Sequence, residues 1–183
     1  MDLILKYDKL LLDLIHNGLS CAFLDKVMPY ITLLAEHGAV PIALSVALML
    51  FPKTRKSGYK MALALVMGLI VVNLAVKPLA ARIRPYDAFP GVELLIDAQS
   101  DYSFPSGHTL ASFESAGVIC QCYKKYAPPA LIAACLVGLS RLYLYVHYPT
   151  DVLFGAILGL CFAVIACYII DRSFSEEKLR KRL

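Results

Sequence analysis

Charge is scarce in this chain, and its cysteines are not arranged for metal or disulfide chemistry. Charged residues make up 17% of the sequence and hydrophobic ones 59%. The mean hydropathy is +0.65, whereas a soluble domain is about half apolar. The apolar excess lies in long blocks, which excludes a soluble globular chain and points to an integral membrane protein. The cysteines Cys21, Cys120, Cys122, Cys135, Cys161 and Cys167 have neither zinc-site spacing nor the pattern of a secreted disulfide framework. Five of them fall inside expected membrane helices, as small apolar fillers. The first residues lack a basic n-region and a small-residue cleavage site, so no signal peptide is expected. Nor does any basic run stand clear of an apolar segment. Lys53-Thr54-Arg55-Lys56, Lys124-Lys125 and the stretch from Arg172 to Arg182 each flank one. They read as topology signals, and no nucleic-acid partner is expected. The acidic residues Asp87, Glu93, Asp97 and Asp101 are not spaced as a ligand set, so no metal and no cofactor is expected.

The 183 residues suit one helical bundle and leave no room for a second domain. Residues 1–28 form an N-terminal region, 30–170 the transmembrane bundle and 171–183 a basic tail. Over residues 3–16, Leu3, Ile4, Tyr7, Leu10, Leu11, Leu14 and Ile15 follow helical spacing. Asp2, Lys6, Lys9, Asp13 and His16 fall opposite. Such a helix lies in the membrane interface; a crossing by residues 8–28 is the alternative. A hydrocarbon core of about 30 Å needs about 20 helical residues. Blocks at 30–51, 59–80, 107–123, 128–146 and 151–170 meet or approach that length. The fold expected is therefore an all-α bundle of five transmembrane helices, or six if residues 8–28 cross, with an N-terminal amphipathic interfacial helix. Phe51-Pro52 and Ala127-Pro128-Pro129 separate helices, and Tyr148-Pro149-Thr150-Asp151 restarts the last one. The one long connection, 82–105, is polar, and a loop of that length in a compact bundle usually has a function. Basic loops at 53–60, 124–125 and 172–182 share one side, expected to be cytoplasmic. The 82–105 loop and the 147–150 turn then share the extracytoplasmic side.

Three polar runs meet on that side. Lys77 and Arg84 are seven residues apart, two helical turns, so both would project from one face, which Asn73 extends inward. Either cation alone reads as a snorkelling or interfacial side chain; together, entering a polar loop, they favour an anion site. Pro105-Ser106-Gly107-His108 sits where a loop becomes a helix. Ser106 suits an N-cap, Gly107 lets the backbone approach closely, and the helix N-terminus favours phosphate. His108 would point at whatever binds there; the bland alternative is a plain cap with a loop histidine. His147 and Asp151 are four residues apart across a proline-initiated helix start. The carboxylate can hold one ring nitrogen and leave the other free for attack. Arg141 adds a cation and Ser140 a local hydrogen bond. Glu114, an intramembrane carboxylate, is left out of the catalytic set because it serves equally as a hydrogen-bonding partner within the bundle. Glu36 and His37 read as an interfacial helix end rather than as the lining of a substrate entrance.

Taken together, Lys77-(x6)-Arg84-Pro85, Pro105-Ser106-Gly107-His108 and Ser140-Arg141-(x5)-His147-(x3)-Asp151 resemble the tripartite signature of the type-2 phosphatidic acid phosphatase superfamily. Every signature position is matched between residues 77 and 151. The layout is similar to small bacterial members that act on lipid phosphates, including undecaprenyl diphosphate phosphatases. The resemblance implies a phosphohistidine enzyme in which His147 is the nucleophile, Asp151 orients it and His108 protonates the leaving oxygen. It implies that Lys77, Arg84, Ser106, Gly107 and Arg141 hold the phosphoryl oxygens. The expected partners are a lipid phosphate and the bilayer, and the expected location is the cytoplasmic membrane with an outward-facing site. Undecaprenyl diphosphate is the expected substrate. Phosphatidate, diacylglycerol diphosphate and phosphatidylglycerol phosphate are alternatives within the superfamily. An anion transporter, which also needs buried cations, and a silent lipid-binding protein are alternatives of another class.

Overall fold

The computed structural model describes residues 3–180. Asp2 of the expected interfacial helix and the last three residues of the basic tail lie outside them. The described chain is helical: α1 (Leu3–Leu19), α2 (Ala22–Leu33), α3 (Ala39–Leu50), α4 (Arg55–Val71), α5 (Lys77–Ala80), α6 (Pro85–Ala88), α7 (Gly107–Cys122), α8 (Ala127–Tyr143) and α9 (Pro149–Arg180). Among the described residues, four stretches are long and apolar enough to cross a membrane: Ala22–Leu50, Arg55–Ala88, Lys124–Tyr143 and Pro149–Glu176. Their large apolar side chains face outward, Leu79 being 85% and Leu74 76% exposed. Such a surface is an aggregation liability in water and the expected one in hydrocarbon.

Two expectations need correction. The first span begins at Ala22, not near residue 30. Asp25 hid its start, but that carboxylate is satisfied internally, accepting a hydrogen bond from Tyr143 Oη at 2.5 Å. The block at 107–123 is real as α7 but has 16 residues, too few for a typical unaided crossing. It packs against α4, α8 and α9, so its surroundings are protein and it can carry a buried Glu114. Part of the expected tail is helical, because α9 continues to Arg180. At 1.5 Å per residue it is about 48 Å long, longer than the hydrocarbon is thick.

Two devices position the polar end of the bundle. Gly155 and Gly159 of α9 sit against α7 so closely that a Cβ would lie 2.7 Å from Ser106 O and 2.7 Å from Leu110 O, respectively. Small residues of this kind let membrane helices approach backbone to backbone. In addition, α4 passes through a π-turn at Val72–Val76 into α5, which stops at Ala81 in the left-handed region, φ 42°. A π-bulge in a helix is commonly found beside a functional site. Here it leads into Lys77 and turns the chain towards Arg82 and Arg84.

The N-terminal helix α1 lies with its polar face inward. His16 Nδ1 is 2.7 Å from Tyr143 O, and Asp13 accepts from Tyr145 Oη at 2.6 Å. Asp8 and Leu12 are buried, while Leu3, Tyr7, Leu10 and Leu14 are exposed. An amphipathic helix orients this way when its outer surroundings are lipid.

Candidate active site

The structure gathers the three sequence runs at one end of the bundle, around His147. This histidine lies in the turn between α8 and α9 and is 1% exposed. Its Nδ1 is 3.5 Å from Asp151 Oδ2, an ion-pair separation longer than an ordinary hydrogen bond. Its Nε2 is 3.2 Å from Arg84 Nη1. Burial pushes the imidazole down to about 3; the Arg84 and Arg141 charges push the same way and Asp151 opposes them. At neutral pH the ring is therefore uncharged and one nitrogen keeps its lone pair, as a nucleophile requires.

Asp151, fully buried, lies in the first turn of α9, two residues after Pro149, whose missing N–H costs nothing at a helix start. Its carboxylate is held on several sides. Oδ1 accepts from Arg82 Nη1 at 2.5 Å. Oδ2 accepts from Ser103 Oγ at 2.5 Å and from the Tyr148 amide at 2.9 Å.

The expectation that Lys77 and Arg84 share a helix face does not hold. The helix ends at Ala81, and Arg84 is the extended N-cap of α6. The two cations meet instead through Asp101 of the long loop. Lys77 Nζ pairs with Asp101 Oδ2. Arg84 Nη2 lies 2.5 Å from Asp101 Oδ1, and its Nε donates to Asp101 O at 2.9 Å. Burial works to raise the Asp101 pKa, but Lys77 and then Arg84 outweigh it and hold the carboxyl at about 2. A carboxylate thus sits on two of the three cations expected to take phosphate.

Ser106 caps α7, its Oγ accepting from the Thr109 amide at 3.4 Å. Its own N–H donates to Asp151 O at 3.1 Å, which ties the second run to the third. Gly107 lies beside Lys77, with 3.8 Å between a built Cβ and Nζ. His108 turns its Nε2 towards Glu36 Oε2 at 3.0 Å. Arg141, 0% exposed, donates through Nη1 to Thr32 Oγ1 at 2.6 Å. Its Nε and Nη2 have no hydrogen-bond partner among the described residues. Two buried guanidinium donors without acceptors are what an anion would satisfy. A cleft of ≈ 570 Å³ runs from Lys77, Asp101 and His108 past Asn73 to Leu69 and Glu114, joining the polar end to apolar helix faces.

Several contributors escaped the sequence reading. Arg82 sits within the six unspecified positions between Lys77 and Arg84, and nothing in the spacing marks it. Ser103 precedes the second run by two positions, and Asp8 is one polar residue in an amphipathic helix. Asp101 was visible only as one of four loop acids. Glu36 is close to His108 only once α2 and α3 are folded; the Glu36–Gly38 turn, with His37 at φ 49°, presents it there. Among the described residues no group of three His, Cys, Asp or Glu side chains is arranged to hold a metal ion.

Comparison with known proteins agrees with this architecture. The chain is 29% identical to the LpxE of Aquifex aeolicus, a crystal structure matched with a TM-score of 0.77 over 85% of this chain and 92% of that one. It is 25% identical to a PAP2-type phosphatidylglycerolphosphate phosphatase from Bacillus subtilis, TM-score 0.71, over 97% and 88% of the two chains. In sequence it is 33% identical to the bacitracin transport permease protein BcrC of Bacillus licheniformis, over 82% of this chain and 76% of that protein. It is also 33% identical to an undecaprenyl-diphosphatase of Sulfolobus acidocaldarius, over 69% of this chain and 62% of that protein. Residues 57–175, which contain all three polar runs, match the PAP2 superfamily. On that match, and on helices able to cross a membrane several times, this chain is a multi-pass membrane protein that belongs to the PAP2 superfamily.

Proposed function

We propose that the chain acts as one unit, a lipid phosphatase that converts undecaprenyl diphosphate and water into undecaprenyl phosphate and inorganic phosphate. The observation that carries the chemistry is the buried, neutral His147 held between Asp151 and Arg84. A terminal phosphate that pairs with Arg84 brings its phosphorus to His147 Nε2. The N–P bond then forms while the bond to the bridging oxygen breaks. Burial and then Arg141 hold the free His108 imidazole down at about 4, against Glu36; the negative charge of the bound phosphates raises it, so that the ring is charged when substrate is seated and gives the bridging oxygen a proton. Charge builds on the His147 ring, and Asp151 stabilises it by accepting a hydrogen bond from Nδ1–H. His108, now basic, takes a proton from water as the water oxygen attacks the phosphohistidine, and phosphate leaves. Phosphoryl transfer asks mainly for positioning and charge. Lys77, Arg84, Arg141, Ser106 and the Gly107 backbone supply both.

The isoprenoid diphosphate reading draws on two relatives named for undecaprenyl diphosphate hydrolysis, from Sulfolobus acidocaldarius and Bacillus subtilis. It also draws on charge, because a diphosphate gives the site a second anion to bind. The apolar side of the cleft suits a long chain entering from the bilayer. A glycerol-based phosphate is the second reading, favoured by the phosphatidylglycerophosphatase relatives. The basic runs lie at the bundle end away from His147, which by the positive-inside rule supports a site on the outer face of the cytoplasmic membrane. The test is phosphate release from undecaprenyl diphosphate, phosphatidate and phosphatidylglycerol phosphate at equal mole fraction in matched micelles. We expect kcat/KM to favour the isoprenoid diphosphate by about tenfold or more, since a second phosphate adds charge-assisted hydrogen bonds. A preference for a glycerol monophosphate would make the second reading the right one.

A further inference from the structure

We infer that Arg82, gripped by Asp8 of α1, is a positioning residue that aims the Asp151 carboxylate at His147; this rests on the roles proposed above for those two residues. Among the contacts of Asp151, the one to His147 is the longest, at 3.5 Å. The carboxylate's direction is therefore set by its other partners. Ser103 Oγ and the Tyr148 amide hold Oδ2, and Arg82 holds Oδ1 at 2.5 Å. Of these partners only Arg82 is charged.

Arg82 is itself fixed with unusual completeness. Its Nη1 also donates to Thr150 Oγ1 at 2.7 Å. Its Nη2 donates to Asp8 Oδ2 at 2.5 Å, and its guanidinium lies 4.0 Å from the centre of the Tyr148 ring. Asp8, 2% exposed, accepts further bonds from the Thr150 amide at 3.0 Å and from Thr150 Oγ1 at 2.5 Å. The guanidinium fork thus joins two buried carboxylates, one from α1 and one from α9. A planar fork with several fixed donors is suited to this, and a lysine ammonium is not. Without Arg82, Asp8 and Asp151 would be two buried carboxylates sharing no cation, a costly arrangement that turns or protonates one of them. Asp151 would then no longer present its oxygen to the His147 Nδ1–H as the ring gains charge. By the same geometry α1, whose outer face is apolar and exposed, belongs to the catalytic machinery through Asp8.

The experiment measures kcat and KM of purified full-length protein in detergent on undecaprenyl diphosphate and on a soluble aryl phosphate, p-nitrophenyl phosphate. The variants are Arg82→Gln, Arg82→Lys, Asp8→Asn and Asp8→Asn/Arg82→Gln, all assayed well below their melting temperatures. We expect Arg82→Gln to lower kcat about 100-fold with KM changed less than about threefold, as for loss of an orienting group. Arg82→Lys should recover about tenfold of that by keeping the charge without the fork. Asp8→Asn should cost about tenfold alone and nothing further in the Arg82→Gln background, because it acts through Arg82. If Arg82→Gln does not fold, a kcat loss at constant KM in both Asp8→Asn and Arg82→Lys supports the inference. Unchanged kcat in those two, Arg82→Gln activity near wild type, a loss confined to KM, or additive costs would overturn it. Turnover of the aryl phosphate without turnover of the lipid would remove the substrate reading and leave this inference testable. A wild-type protein that hydrolyses neither would end both.

Discussion

At the scale of single residues, the site is a set of buried charges that answer one another. Asp101 is the clearest case, because its carboxylate lies where the resemblance places substrate phosphate. It is held at about 2, so it stays ionised throughout the working pH range and competes with any phosphate for Lys77 and Arg84. Asp101→Asn removes the rival anion and keeps the shape. We expect KM for the lipid substrate to fall about three- to tenfold, the range of one charged hydrogen-bonding partner in competition. Steady-state kinetics at fixed detergent concentration check this. A KM that rises would show that Asp101 helps to seat the phosphate rather than standing in for it. Much of the site was legible residue by residue, because Lys77, Arg84, Ser106, His108, Arg141, His147 and Asp151 occur in motifs whose spacing reflects local geometry. The Ser106 cap and the His147–Asp151 approach follow from chain-local rules. Asp8, Arg82, Ser103 and Asp101 were not legible, because each acquires its role only from a partner tens of residues away.

At the scale of elements, helix starts were easier to read than helix stops. Pro149 and Ser106 announce α9 and α7 by chemistry that a sequence displays. The stop of α5 at Ala81 has no such mark, since alanine favours helix and is turned left-handed here by its surroundings. Hence Lys77 and Arg84 were expected on one face and are not. The start of the first span was hidden for a similar reason: Asp25 is polar in sequence and satisfied in the fold. The α7–α9 contact should be the most sensitive packing in the molecule, because it carries both Ser106 and Asp151. A Cβ at Gly155 would lie 2.7 Å from Ser106 O, and backbone cannot yield as a side-chain tip can. Gly155→Val is therefore expected to destabilise by about 1–3 kcal/mol and to lower kcat by separating the cap from Asp151. Thermal melting in detergent and kcat together check it; a variant with normal melting and normal turnover would show that the helices can part without harm.

At the scale of the whole molecule, charge is sorted by end. The basic stretches surround the end where Lys56 and Lys60 of α4 pair with Asp171 of α9, at 2.7 and 2.9 Å. Lys77, Arg84 and Arg141, the cations proposed to hold phosphate, occupy the other end. If the basic end is cytoplasmic, a single cysteine placed between residues 86 and 103, in a chain whose native cysteines are replaced, should react with a membrane-impermeant maleimide on intact cells. Labelling only after lysis would place the chemistry on the inner face. If His147 carries the phosphoryl group of an isoprenoid diphosphate, rapid quenching will trap it there. Undecaprenyl diphosphate bearing a radiolabelled terminal phosphate is mixed with excess enzyme and stopped within a fraction of one turnover. We expect label on His147, stable to alkali and labile to acid, and neither label nor turnover in His147→Ala. Wild-type turnover with no labelled protein, or His147→Ala retaining more than about a hundredth of wild-type activity, well above what loss of a nucleophile leaves, would contradict it.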